Sequence, residues 1–255
     1  LNDMRGVQQN IGVCTQFDVL WSDLTVEETL LFYARLKGVA RKHEKTHVQR
    51  LMRELGLFDA RSRKPGQLSG GMRRRLSIGV ALSGGSRFVV LDEATTGVDI
   101  VSRANIWQII ERAKRHRRSI LLTTHAFEEA EKLADLVAIM HKGELRALGT
   151  IGQLTESAGS HYMLRVAYHP EEIAEVRRDI AQIAPHARVV RLFNSVGTWA
   201  IAKRDNAGNN WRFSQLFAAL KQNQRVLDFS LSDVGLTQVF ESIVQEGARK
   251  KAADE

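Results

Sequence analysis

The sequence predicts an α/β domain joined to a smaller α+β domain, and three observations carry that prediction. Two short apolar runs, Phe88 to Leu91 and Ile120 to Leu122, flank a helical stretch of about residues 101–118. Strand, helix and strand at this spacing form a right-handed crossover between buried parallel strands. Beyond residue 160 the apolar spacing changes to the order β-α-β-β-α-β, a split arrangement in which two helices cover one sheet. Composition is that of an ordinary folded protein: 255 residues, 44% hydrophobic and 26% charged. It excludes disordered, collagen-like and disulfide-stapled classes.

Each element follows from local pattern. From Thr25 to Gly56 apolar residues recur with helical period in two segments, Leu30, Leu31, Tyr33, Ala34 and then Val48, Leu51, Met52, Leu55, divided near Lys37-Gly38. After a basic loop, Ser69 stands as an N-cap ahead of a helix from Met72 to Leu82. The strand from Phe88 ends in Asp92-Glu93, and the strand from Ile120 ends in Thr123-Thr124-His125. Parallel strands place their carboxyl ends on one edge, where open α/β sheets bind ligands, so Asp92, Glu93 and His125 are expected to share that edge. A helix from Phe127 to Ala134 follows, then a hairpin of Val137–Met140 and Glu144–Ala147 around Lys142-Gly143.

The second domain begins with the alternation Tyr162, Leu164, Val166, Tyr168. A helix carries Ile173, Val176, Ile180 and Ile183; strands follow near 187–194 and 196–203; Leu216, Phe217 and Leu220 mark a second helix, and Leu227, Phe229 and Leu231 a fourth strand. A last helix shows the stripe Leu236, Val239, Phe240, Ile243, Val244. The domain boundary is placed between residues 155 and 156.

Charge and cysteine usage narrow the function classes. The lone Cys14 forms no internal disulfide and suits a reducing compartment. No apolar run approaches the roughly 18 residues of a membrane span, and the first residues lack a signal-peptide core. The chain opens on Leu1 rather than Met, so it is expected to belong to a longer polypeptide. Net charge is +8, with nearly all of the excess in residues 1–150. The runs Arg73-Arg74-Arg75 and Lys114-Arg115-His116-Arg117-Arg118 could meet phosphates, although a solvated helix face is the more ordinary reading of each alone.

Four segments could carry chemistry. Asp92 and Glu93, delivered by a buried strand, could organise Mg²⁺ through water and activate a nucleophilic water, or simply begin a loop. His125 could bond a phosphate oxygen or orient water. Leu68-Ser69-Gly70-Gly71-Met72 sets a hydroxyl and unhindered N–H groups at a helix N-terminus, where the helix dipole favours an anion. Gln16, just past the apolar Ile11–Cys14 strand, could reach a metal or a phosphate-bound water.

In this order and spacing, these segments resemble the nucleotide-binding domain of ATP-binding cassette transporters joined to its C-terminal regulatory domain, across essentially the whole chain. Gln16 matches the Q-loop, residues 68–72 the signature motif, Val89 to Glu93 the Walker B strand, Asp99 the D-loop and His125 the switch histidine. FYARLKG at 32–38, LSGGMRRRLS at 68–77 and GGS at 84–86 resemble the A subfamily, which moves lipids.

The resemblance implies a P-loop NTPase-like parallel sheet with a helical subdomain, present in part, over residues 1–155, and an α+β ferredoxin-like regulatory domain over 156–255. It implies ATP and Mg²⁺ as cofactors and an ATPase active in the full-length protein, with the fragment alone inactive. Glu93, His125 and Gln16 are the implied catalytic residues, with Asp92 and Gln16 toward the metal. Ser69, Gly70, Gly71 and Asp99 are implied at nucleotide. The implied partners are a second nucleotide-binding domain, transmembrane domains and, through them, a lipid substrate, with the chain on the cytoplasmic face of a membrane. Two departures stand out. No GxxxxGK[ST] loop occurs, so the cradle and lysine for the β- and γ-phosphates are missing. Ala94 replaces the family's usual proline, which frees one φ angle.

Rival readings are weaker. His43-Glu44-Lys45-Thr46-His47 is a literal HExxH, the zinc-protease helix signature, but Arg41, Lys42 and Lys45 surround it with charge that repels a dication. A nucleic-acid ATPase is disfavoured because the tail is nearly neutral and shows no aromatic-rich base-stacking strand. A non-catalytic regulatory cassette is a third reading.

Overall fold

Thr25 starts the first long helix because its hydroxyl accepts from the Glu28 N–H while the Glu28 carboxylate accepts from the Thr25 N–H, a reciprocal capping box. The computed structural model that shows this describes residues 4–157, 161–203 and 213–244. The chain folds as two units, Leu1–Leu133 and Ala134–Glu255. The division falls ahead of the 137–149 hairpin, which the sequence pattern assigns to the first domain.

In the first unit, α1 (Met4–Asn10) leads into β1 (Ile11–Cys14), followed by α2 (Val26–Leu36) and α3 (Arg41–Glu54). The α2–α3 break falls at Lys37-Gly38, where Gly38 adopts a φ of 83°. Next come α4 (Gly70–Leu82), β2 (Phe88–Asp92), α5 (Ile100–Arg115), β3 (Ser119–Thr123) and α6 (Phe127–Leu133). The three strands pair in parallel in the order β1-β2-β3, with Cys14 opposite Leu91 and Asp92 opposite Thr123. One sheet face contributes Cys14, Val89 and Leu91 to a core completed by Leu30, Met52, Leu76, Ile78, Ile106 and Ile110. Gly12 allows α4 to lie directly on β1: a Cβ there would sit 1.8 Å from the Ala81 carbonyl oxygen. On the other face Val13 and Leu121 are half exposed.

The three arginines of the 73–75 run do not form a solvated face. Arg74 is buried; Arg73 donates to Leu68 O, and Arg75 to Leu55 O and Gly56 O. Their guanidiniums satisfy carbonyls at the ends and edges of other elements, which is why three cations tolerate adjacency in sequence.

In the second unit, β4 (Val137–His141) and β5 (Glu144–Gly149) form the antiparallel hairpin, and α7 (Ile151–Ser157) follows. Then come β6 (His161–Tyr168), α8 (Ile173–Ile183), β7 (Arg188–Phe193), β8 (Val196–Ala202), α9 (Phe213–Gln222) and β9 (Val226–Asp233). The sheet order is β7-β8-β6-β9 with every pair antiparallel, as the β-α-β-β-α-β pattern requires. Leu164, Val166, Trp199 and Ile201 from the strands meet Val176, Ile180, Leu216 and Leu220 from the helices. Residues 236–244 are helical, and Leu236 and Val239 of their apolar stripe are buried.

Candidate functional site

The carboxyl edge of β2 and β3 gathers three of the residues singled out in the sequence. Asp92 ends β2 opposite Thr123, whose hydroxyl donates to Asp92 Oδ1. Glu93 follows with a φ of 49°, in the left-handed region that non-glycine residues seldom occupy. Such a conformation costs energy of order 1–3 kcal/mol and persists only where neighbours enforce it. Here they do: the Glu93 N–H donates to both the Thr123 carbonyl and the Thr123 hydroxyl, each at 3.1 Å.

This turn aims the Glu93 side chain at His125, whose Nδ1 lies 2.7 Å from Glu93 Oε2. The Thr96 hydroxyl donates to the same oxygen at 2.5 Å. With the carboxylate ionised, the His125 proton sits on Nδ1, which leaves Nε2 as the ring nitrogen that can address a ligand. The His125 side chain is 72% exposed and that of Glu93 22%, so the pair stands at the surface with the acid held back and the imidazole forward.

Gln16 lies in the exposed bend after β1, beside β2, and so on the same edge. The link between these strand ends is a residue that the sequence marks only as part of a basic run. The Arg74 guanidinium donates to Ala94 O at 2.8 Å, Thr15 O at 2.6 Å, Asp92 O at 2.9 Å and Glu93 O at 3.0 Å. It also meets Asp18 Oδ1 at 3.3 Å, and Ser77 holds that same oxygen at 2.8 Å. One buried cation thus ties the Gln16 bend to the Asp92–Ala94 turn. The available signal was its place in the LSGGM helix: i+5 from Ser69, one turn inside, facing the sheet.

Ser69, Gly70, Gly71 and Asp99 form a second grouping where the N-termini of α4 and α5 meet. Ser69 Oγ accepts from Met72 N at 3.3 Å and Asp99 Oδ1 from Ser102 N at 2.9 Å, so each caps its own helix. The bond from the Ser102 N–H holds the Asp99 carboxyl below its ordinary range. Gly71 is what lets the two ends approach, since a Cβ there would lie 2.2 Å from Ser102 Oγ and 3.7 Å from Asp99 Oδ2. Ser69 and Gly70 are exposed. The result is a surface cradle of N–H groups and hydroxyls of the kind that receives phosphate oxygens.

The HExxH reading fails. Glu44 is bound by Arg35 through both oxygens, at 2.7 and 2.8 Å, which holds its carboxyl below the usual range. His47 Nε2 accepts from the Gly84 N–H at 3.3 Å. Among the described residues no three histidine, cysteine or acidic side chains gather to hold a metal.

Comparison with known proteins agrees with this geometry. Residues 2–96 match the family model described as ABC transporter. The human protein named phospholipid-transporting ATPase ABCA3 is 38% identical over 248 residues, which cover 96% of this chain and 14% of that protein. ABC transporter A family member 7 of Dictyostelium discoideum is 36% identical over 246 residues, covering 93% of this chain and 28% of that one. A solved structure described as the ATP binding subunit of an ABC transporter aligns with a TM-score of 0.54 at 25% identity, over 60% of this chain and 64% of that chain. The parallel sheet and the helices around it share the fold of the ATP-binding subunit of an ABC transporter. Residues 2–96 belong to the ABC transporter family, and the relatives named here, which align over nearly the whole chain, are A-family members. It spans between 14% and 28% of the length of the relatives named here. No helix among the described residues is long and apolar enough to cross a membrane.

Proposed function

We propose that residues 1–155 serve as one cassette of an ATP-driven membrane transporter that moves lipid, and that 156–255 form its ferredoxin-like regulatory domain. The observation that carries the reading is the 2.7 Å Glu93–His125 contact beside Asp92 at the carboxyl edge of parallel strands. It sets a base, a phosphate-facing imidazole and a metal-side carboxylate at one edge of the sheet, from the ends of two adjacent strands. The lipid substrate rests on the relative named as phospholipid-transporting, and the position on the cytoplasmic face of a membrane follows from the same kinship.

The residues present fit a nucleotide and its metal in part. Thr123 takes one Asp92 oxygen, which leaves the other for a metal-bound water, and the Gln16 amide oxygen is a second hard donor on that edge. Mg²⁺, when bound, neutralises charge on the phosphates. Glu93 takes the proton of the attacking water, with Thr96 and His125 fixing the orientation of its Oε2. His125 Nε2 holds the γ-phosphate side of the site. The cradle of exposed Ser69 and Gly70 with the buried Gly71 behind them holds the terminal phosphate carried by a second cassette docked head to tail, and Asp99 fixes the helix end beside that cradle. This division of labour is mostly positioning and charge neutralisation, as phosphoryl transfer requires. The phosphate-gripping loop is not among this chain's residues, so the chain by itself is inactive.

The test is Glu93→Gln in the transporter polypeptide that carries this cassette. ATP binding persists and turnover slows by roughly 10²–10⁴, the usual contribution of a general base. Turnover equal to wild type refutes the assignment.

A further inference from the structure

The basic run that ends α5 has no part in the catalytic edge, and its surroundings are unusual. Arg117 and Arg118 lie between α5 and β3, Arg87 stands just ahead of β2, and Arg50 is on α3. These four guanidiniums line a cavity of about 560 Å³ together with Glu54, His116 and Gly85. All of it lies at the amino ends of the strands whose carboxyl ends carry Asp92, Glu93 and His125. One strand of five residues separates the two edges, roughly 20 Å from Arg87 to Glu93 at about 3.3 Å per residue.

The lining has no apolar side chain and a single carboxylate for four guanidiniums. That carboxylate, Glu54, stands 3.7 Å from Arg50. Arg118 is preset rather than floppy: half-buried, it donates to Leu82 O at 2.8 Å from the end of α4, and this one bond leaves most of its five N–H donors for another acceptor. Burial lowers its pKa, Glu54 opposes the effect and Arg50 adds to it. His47, behind the same wall, is likewise held below its ordinary pKa, by burial first and then by Arg50 and Arg118. The protein thus maintains a cationic field that its own acids do not cancel. Arg117 contributes from a left-handed backbone conformation, φ 58°.

We infer that this cavity is a binding site for a phosphate-rich polyanion, whether an inositol-phosphate lipid headgroup or a free polyphosphate. Guanidinium forks match phosphate oxygens in bidentate pairs, and the volume lies within the range of small-molecule sites. Four arginines facing one carboxylate favour a multiply charged anion, and the volume admits a group carrying more than one phosphate. Because the site is at the opposite sheet edge, occupancy there is independent of the phosphates handled by Ser69, Glu93 and His125.

Inorganic tripolyphosphate and two vesicle types, phosphatidylcholine with and without phosphatidylinositol bisphosphate, are titrated into the 255-residue chain by calorimetry at physiological ionic strength. The variant is Arg50→Glu with Arg87→Glu, both exposed positions that spare the core. The control is Arg188→Glu with Arg191→Glu on β7, which changes net charge equally away from the cavity. Removing two charge-assisted contacts is expected to weaken binding more than about tenfold, while the control weakens it far less. Binding to the phosphoinositide vesicles alone assigns the lipid headgroup, binding to tripolyphosphate alone assigns the free polyanion, and binding to both assigns phosphate in either source. No binding to any probe, an undiminished affinity in the cavity variant, or an equal loss in the control overturns the site.

Discussion

Arg74 offers the most demanding test of how this site is built. Replacing it by Gln removes a buried guanidinium that serves four carbonyls, Thr15, Asp92, Glu93 and Ala94, and the Asp18 carboxylate. The arginine side chain is 5% exposed and that of Asp18 25%, so Asp18 keeps a charge that water only partly reaches. Breaking a buried pair by deleting one partner costs about 3–5 kcal/mol, and each carbonyl left without a donor adds to this unless water enters. Water does reach the exposed edge, so the lower half of that range, about 3–4 kcal/mol, is expected. For a unit of this size that lowers the melting temperature by roughly 10–15 °C, read by near-ultraviolet circular dichroism through Trp21 and Trp107. Lysine should not rescue, because an ammonium cannot span five acceptors fixed by a planar fork. A loss below about 1 kcal/mol, or full rescue by lysine, would show that the guanidinium does not hold the edge together.

Three further outcomes follow from named contacts. Ser69→Arg should abolish ATPase turnover of the full-length transporter while leaving this chain folded, since Ser69 is exposed and losing its 3.3 Å cap bond costs only about 1 kcal/mol; retained turnover counts against the cradle. Gly12→Ala forces a Cβ to within 1.8 Å of the Ala81 carbonyl oxygen and should cost about 3 kcal/mol or more in urea unfolding, whereas Gly152→Ala meets nothing within 4 Å and should be neutral or stabilising. Cys14 is buried, and burial raises its thiol pKa to about 11 from 9.0. The unfolded chain therefore loses this proton first, so stability is unaffected below pH 9 and falls as pH climbs from 9 toward 11. Alkylation at pH 8 should be slow in the native chain and fast in denaturant; rapid native labelling contradicts the burial.

Secondary structure was legible wherever a residue's neighbours in sequence were also its neighbours in space. Helical periodicity located α2, α3 and α4, the strand–helix–strand spacing located β2, α5 and β3, and alternation located the first and last strands of the second sheet, with the other two placed between its helices. The seven-residue helices α1 and α7 lack a sustained apolar stripe, and the pattern does not reveal them. At the candidate site, the shared edge of Asp92, Glu93 and His125 followed from parallel pairing alone.

What the amino-acid order decided by itself was which elements form, which strand ends carry acids and imidazole, and which helix begins with Ser-Gly-Gly. The tertiary structure decided what the cations and the decoy histidines do. Arg74 became a buried strut and Arg118 a cavity wall because carbonyls from residues as distant as Thr15 and Leu82 came within reach of them. His47 became an acceptor for Gly84 in the same way. Hydrogen bonds act over about 3 Å of space whatever the separation along the chain, and a string of letters contains no such distances.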